Sequence, residues 1–446
     1  MPRSFTRALL AIATLAAVTG PATTTAAADG QKTTLKELVL SALATHERVE
    51  VAASQVRRAR ADTTLARSAL MPRLELNGAY TFYADEQSLE LAPGESFVIR
   101  PSQDWSWSAD LRQTLFYGLR PWRARSIARL NLDIARLDKR TTVNDLTLEV
   151  AGAYFTAVAA TERVEVRETA LKQISKQLHV AERRYEVGES TVADVARWRA
   201  EVAAARQAAV VASGEAELAR HRLQRLTGLD ELGELVRLGP VPTPDGDSDA
   251  LIESAYRDRL EMQTLVHQLE AAGLWVKLEK GAWLPELDAS AQYFQQKAAF
   301  PSSDWTSLTL SLRVPIYDGG VTSANVAAAR EDLRQVELLE QTVRRTIADQ
   351  VDSALISYHS ADAALDAARE RSLAAREAYR QVERAFSVGE ASSVDLLDAT
   401  TEATDAENTH IIARVQREFQ AISLRYATGL PPLPDLDFAE LGLTEE

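Results

Sequence analysis

The sequence predicts a mainly α-helical chain with transmembrane β-strands: long helices forming an α-helical barrel, four strands per chain contributing to a β-barrel, and an internal two-fold repeat. Three observations carry this. Landmarks recur at a fixed distance, amphipathic strand-like segments come in pairs, and the longest unbroken stretches carry apolar seams at helical spacing.

The repeat sets the organisation. Tyr185-Glu186-Val187-Gly188-Glu189 returns 201 positions later as Phe386-Ser387-Val388-Gly389-Glu390. Asp194-Val195 returns as Asp395-Leu396, and Thr227-Gly228-Leu229 as Thr428-Gly429-Leu430, at the same offset. Upstream, Leu70-Met71-Pro72 matches Trp283-Leu284-Pro285 at an offset of 213, so something between these landmarks is shorter in the second copy. The surplus falls near Ala84 to Asp104, a loop containing Pro93 and Gly94. Pro240, Pro242, Pro244 and Gly246 mark 230–249 as the linker between a first copy over 29–229 and a second over 250–430, with 431–446 as a C-terminal tail.

Each copy opens on a helical stretch, Leu35 to Leu70 and Ala250 to Trp283, stopped by a proline. Two alternating segments follow. Leu74, Leu76, Gly78, Tyr80 and Phe82 form one face of the first, and Trp105, Trp107, Ala109 and Leu111 one face of the second. Leu287, Ala289, Ala291 and Tyr293, then Leu308, Leu310 and Leu312, repeat the pattern. Period two with one apolar face signals a strand, and a segment of about ten residues fits a tilted membrane-spanning one. Aromatic residues gather at both ends, among them Tyr80, Phe82, Trp105, Tyr293, Phe294 and Trp305 at the hairpin end and Phe116, Tyr117, Trp122 and Tyr317 at the helix end. They have the placement of interfacial girdles.

Long helical patterns come next, Pro121 to Tyr185 and Val321 to Phe386. Leu171, Ile174, Leu178, Ala181 and Tyr185 step by three and four, as do Leu365, Ala368, Ser372, Ala375, Tyr379, Val382 and Phe386. Shorter helices follow over Val192 to Leu226 and Val394 to Ala427. One short helix before the strands and one after the turn, stacked end to end, match one long helix in height, as the wall of a cylinder requires.

Composition narrows the function classes. Of 446 residues, 46% are hydrophobic and 26% charged, as in a folded protein. A formal net charge of -14 argues against nucleic acid as a partner. The absence of cysteine removes disulfides, thiolate chemistry and cysteine metal sites. Arg3, Arg7, the apolar run Ala8 to Val18 and Ala26-Ala27-Ala28 read as a signal peptide over 1–28. No later stretch reaches 18 uncharged apolar residues. Four strands cannot close a barrel and open edges are not tolerated in lipid, so the chain must oligomerise if the strands are in a membrane: two copies give eight strands, three give twelve. His46, His179, His221, His267, His359 and His410 make no metal-binding spacing, and no phosphate loop or nucleophile elbow occurs, so neither an enzyme nor a cofactor is expected.

Past each glycine turn, Thr191 with Asp194 and Ser392 with Asp395 fit a capping box at a helix start. Asp398 differs, because Arg197 holds its place in the first copy. Asp395 and Asp398 lie three apart on one helix face.

The turns at 185–188 and 386–389, the stretch Val394-Asp395-Leu396-Leu397-Asp398-Ala399 and the proline-led strand pairs resemble the TolC family of outer-membrane efflux proteins, over essentially the whole mature chain. The resemblance implies a homotrimer with a twelve-stranded β-barrel in outer-membrane lipid and a periplasmic helical tunnel. It implies a periplasmic adaptor (membrane fusion) protein and an inner-membrane pump as partners, the adaptor meeting the turns at Val187, Gly188, Val388 and Gly389. The function so implied is a passive exit duct of a tripartite efflux or type I secretion system, with a periplasmic gate of acidic rings at Asp395 and Asp398. Some members close the tip with polar links from the position of Asp194 to a tyrosine and an arginine. Here those places hold Phe386 and Ala391, which donate no side-chain hydrogen bond. The alternative reading is a soluble periplasmic coiled-coil scaffold without a pore.

Overall fold

The structure, a computed structural model, describes residues 32–92, 95–298 and 302–434. The expected signal peptide, Pro93, Gly94 and 435–446 of the expected tail lie outside the described residues.

In chain order the elements are β1 (Lys32–Thr33), α1 (Leu35–Thr45), α2 (Glu47–Ser68), β2 (Arg73–Phe82), β3 (Gln87–Ala92), β4 (Glu95–Arg100), β5 (Gln103–Tyr117) and α3 (Arg120–Glu186). There follow α4 (Val192–Thr227), β6 (Glu234–Leu235), α5 (Ser248–Asp258), α6 (Leu260–Lys280), β7 (Glu286–Gln296), β8 (Asp304–Arg313), α7 (Val321–Val388) and α8 (Ser393–Ala427). With 67 and 68 residues, α3 and α7 each run about 100 Å. α3 packs along α2, α4, α6 and α8, and α7 along α6 and α8.

Sequence periodicity predicts single helices over Leu35 to Leu70 and Ala250 to Trp283, but each is broken in two. His46 and Arg259 leave the helix with extended ψ of 129° and 135°. Neither break has a proline or glycine at it. Tertiary contacts make them. His46 Nδ1 accepts from the Arg48 N–H and so caps α2. Arg259, 5% exposed, reaches Gln350 at 2.6 Å and Glu261 at 2.8 Å. The helices α4 and α8 end against these joints. Ser41 and Thr45 hydroxyls donate to the Thr227 carbonyl at 2.8 and 3.3 Å, satisfying an end of α4 that has no partner within the helix. Gly429, just past α8, lies against the backbone of Asp258 and Arg259. Thus α4 continued by α2, and α8 continued by α6, form two-piece struts beside the long helices.

The Arg259 joint is flanked by a second apolar cluster of Leu251, Ala255, Met262, Ile347 and Leu424, and the His46 joint sits in the main apolar core. Leu38, Leu146, Val150, Tyr154, Leu223 and Ile422 are fully buried there. The segment after α4 crosses this belt. β6 pairs in parallel with β1, the Tyr154 hydroxyl donates to the Val236 carbonyl, and burial pushes the Tyr154 phenol up to about 12.

Strands β2, β5, β7 and β8 form one antiparallel sheet in the order β2-β5-β7-β8. The expected loop from Ala84 to Asp104 instead carries a second hairpin, β3 paired with β4. Its alternation was hidden by short strands and irregular register.

At the base of the sheet, β5 turns into α3 through Gly118, at φ 56°, and Leu119, at φ 60°. Pro121 sits in the first turn of α3, where its missing N–H costs nothing. A Cβ added at Gly118 would lie 2.0 Å from the Gly281 carbonyl oxygen, so this crossing admits only glycine. Gly118→Ala is expected to destabilise the junction by about 2–4 kcal/mol, combining overpacking with left-handed backbone strain. Thermal unfolding of the detergent-extracted protein checks this. Gly78→Ala, with nothing within 4 Å of the added Cβ, serves as the neutral control.

Candidate functional site: the helical tip and the sheet faces

The two helical hairpins end in matching turns. Gly188 and Gly389 take φ of 82° and 86°, open to glycine at little cost. The Glu189 N–H donates to the Arg184 carbonyl at 2.7 Å and the Glu390 N–H to the Ala385 carbonyl at 2.8 Å, closing both helix ends. Val187 and Val388, next to these glycines, stand about 70% exposed.

Both capping boxes are formed. The Thr191 hydroxyl accepts from the Asp194 N–H at 3.1 Å, and Asp194 accepts from the Thr191 N–H at 3.3 Å. In the second hairpin the Ser392 hydroxyl accepts from the Asp395 N–H at 3.2 Å, and Asp395 accepts from the Ser392 N–H at 2.9 Å. Hydrogen bonds from the Thr191 and Ser392 side chains, then from their backbones, hold both carboxyls below the usual carboxylate range. A depressed native pKa stabilises above the unfolded value and is lost as pH falls through the native one. The caps therefore persist through neutral and mildly acidic pH.

Beneath the turns the hairpins share an apolar plug. Leu396 is fully buried against Val195, Trp198, Ile174 and Ala181, with Tyr379, Val382 and Phe386 packed around it. This buries much of both predicted seams. Asp395 and Asp398 are exposed on the other side of α8, and Asp398 makes no hydrogen bond or ion pair among the described residues.

Phe386 and Ala391 leave the tip without the tyrosine and arginine links, and other contacts join the hairpins. The Ser393 hydroxyl donates to Asp194 Oδ1 at 3.4 Å. The Arg184 guanidinium lies 5.1 Å from the centre of the Phe386 ring, a cation–π contact. Sequence reasoning missed Arg184 and Ser393. The only available signal was that Phe386 offers a ring where a hydroxyl was expected.

The sheet has two unlike faces. Rows Leu74–Leu111–Ala291–Leu308 and Leu76–Ala109–Tyr293–Thr306 lie on one, with Leu76 75% and Leu308 83% exposed. Rows Arg73–Arg112–Ser290–Thr309, Glu75–Asp110–Gln292–Ser307 and Asn77–Ser108–Phe294–Trp305 lie on the other. There Asp110, only 7% exposed, accepts from Ser108 at 2.6 Å and Asn77 at 3.0 Å. Phe294 and Trp305, expected with the girdle, stack on this polar side with centroids 5.4 Å apart. The residues next to them in sequence, Tyr293 and Thr306, take the apolar side. An inside-out sheet of this kind suits lipid on one side and water on the other. Among the described residues no helix is long and apolar enough to cross a membrane.

Comparison with known proteins agrees with this geometry. The family model described as outer membrane efflux protein matches residues 38–229 and 251–430. Outer membrane protein TolC of Vibrio cholerae is 26% identical over 401 residues, covering 85% of this chain and 87% of that protein. The alkaline protease secretion protein AprF of Pseudomonas aeruginosa is 24% identical over 389 residues, covering 84% of this chain and 79% of that one. The structure of the Campylobacter jejuni CmeC outer membrane channel matches with a TM-score of 0.77 at 16% identity, over 91% of this chain and 88% of that chain. The inside-out sheet, the paired hairpins and the span of the family match lead to one conclusion: this chain belongs to the outer membrane efflux protein family.

Proposed function

We propose that the chain is the passive exit duct of a tripartite efflux or type I secretion system. It lies in the outer membrane with its helical domain in the periplasm, as its family does. The observation that carries the duct reading is the sheet. β2 and β8 are open edges, the leucine face is exposed, and the polar face is its opposite. Three copies joined edge to edge give twelve strands, with the polar face lining the lumen and the leucine face in lipid. Two helix–strand–strand–helix repeats, over 29–229 and 250–430 and joined by 230–249, give each copy its two hairpins. The hairpin between β2 and β5 then points out of the cell.

The tip supplies gate and docking surfaces. Asp395 and Asp398 face a narrow lumen. Val187, Gly188, Val388 and Gly389 offer exposed apolar turns to a periplasmic adaptor, which links the duct to an inner-membrane pump. The relatives include one named for efflux and one named for protease secretion, and the chemistry of the tip does not favour one cargo. A soluble scaffold would leave the leucine face in water, a patch that soluble monomers rarely expose. The test is fractionation and cross-linking of intact cells. The expected result is a trimer extracted only by detergent, which falls apart on heating unless it has been cross-linked. Recovery as a freely soluble periplasmic monomer would sink the proposal.

A further inference from the structure

The polar side of the sheet carries two arginines in direct opposition. Arg73 opens β2, and Arg112 stands across from it on β5. Like charges directly opposite destabilise an antiparallel pair. Neither arginine is ion-paired among the described residues. Both line a cavity of about 830 Å³ at the base of the sheet, where strands give way to helices.

Two of the other charges lining this cavity pair with each other. Arg120 faces Glu279 at 3.9 Å and the Tyr117 hydroxyl at 3.2 Å. Asp288 accepts from the Thr114 hydroxyl at 2.7 Å. Glu75, one row outward, has no ion-pair partner among the described residues. Two guanidiniums, Arg73 and Arg112, and two carboxylates, Glu75 and Asp288, therefore carry no ion pair among the described residues. Ser290, next to Arg112 in the same row, adds a hydroxyl on the same side.

We propose that Arg73 and Arg112, with Ser290, form an oxyanion-binding step in the duct wall, which takes the carboxylate, phosphate or sulfate groups of passing cargo. Two planar guanidiniums side by side present forked N–H donors that match such groups. Their mutual repulsion in the empty duct is relieved when an anion lies between them. The row of Glu75 and Asp110 just beyond repels the same groups, so the step holds an anion briefly rather than trapping it, as conduction requires. This rests on the duct reading, which places the polar face in the lumen.

The test is current through the purified protein in a planar bilayer of uncharged lipid, with sodium tripolyphosphate added in KCl. The parent is expected to show concentration-dependent block. Arg73→Gln/Arg112→Gln is expected to need about tenfold more tripolyphosphate, the loss of charge-assisted bonds. Its zero-current potential in a KCl gradient should move toward potassium selectivity. Arg73→Lys/Arg112→Lys keeps the charge and loses the fork, so block should weaken at unchanged ion selectivity; this pair carries the test if the glutamine pair fails to assemble. No block in the parent, or block in both variant pairs as tight as in the parent, overturns the inference. A parent that passes no current in KCl alone would instead overturn the duct reading beneath it.

Discussion

A trivalent cation added on the tip side is expected to block conductance of the parent protein, and Asp395→Ala/Asp398→Ala is expected to remove almost all of that block. In the proposed trimer six exposed carboxylates would ring one axis, and their summed field would focus cations into the opening. Oxygen-only ligands suit hard cations. Asp398→Ala alone should raise the half-blocking concentration roughly tenfold, and the double variant about a hundredfold, at about 1.4 kcal/mol per factor of ten. Sequence reasoning expects repulsion around the ring to raise some of these pKa values. Within one copy the Ser392 hydrogen bonds hold Asp395 below the usual carboxylate range, opposing that repulsion. Block should therefore survive at mildly acidic pH and fade only within or below the usual carboxylate range. A double variant blocked as tightly as the parent would show that Asp395 serves only as a cap.

A charge on the leucine face is expected to remove the protein from the outer membrane. Leu308→Arg puts a guanidinium near the middle of β8, in the row with Leu74, Leu111 and Ala291. At the bilayer midplane this costs about 2–4 kcal/mol per copy, at least a thirtyfold loss in the assembled state. Three copies multiply the penalty. Ser307→Arg, one residue away on the row of Glu75 and Asp110, should be tolerated because it meets water and carboxylates. Heat-modifiable trimer in purified outer membranes distinguishes them. Equal recovery of both variants would mean that the leucine face does not meet lipid.

The periodic elements were legible because periodicity survives without tertiary contacts. The ends of α3, α4, α7 and α8 fall within two residues of the expected bounds, and the sheet follows the expected alternation. What escaped depended on partners distant in sequence. His46 and Arg259 break their helices because α4 and α8 end there, and no local residue announces it. The capping boxes were legible because their partners lie three residues apart. Arg184 with Phe386 and Ser393 with Asp194 were not, because each pair spans the two hairpins. Opposed arginines could not be seen until the register between β2 and β5 was known.

The joints against which α4 and α8 end also fix a lever. From joint to tip, α4 is 36 residues and α8 is 35, so each arm is about 53 Å long. A tilt of about 10° at the joint would swing the tip by roughly 9 Å on an arm of that length. The neighbouring long helices have no such joint and must bend along their length to follow. The spliced rods are therefore the compliant members of the wall and the continuous rods the stiff ones. The fulcrum of the α4 rod lies in the belt where Tyr154 and Leu223 are packed, and that of the α8 rod beside the cluster of Ala255, Met262 and Leu424.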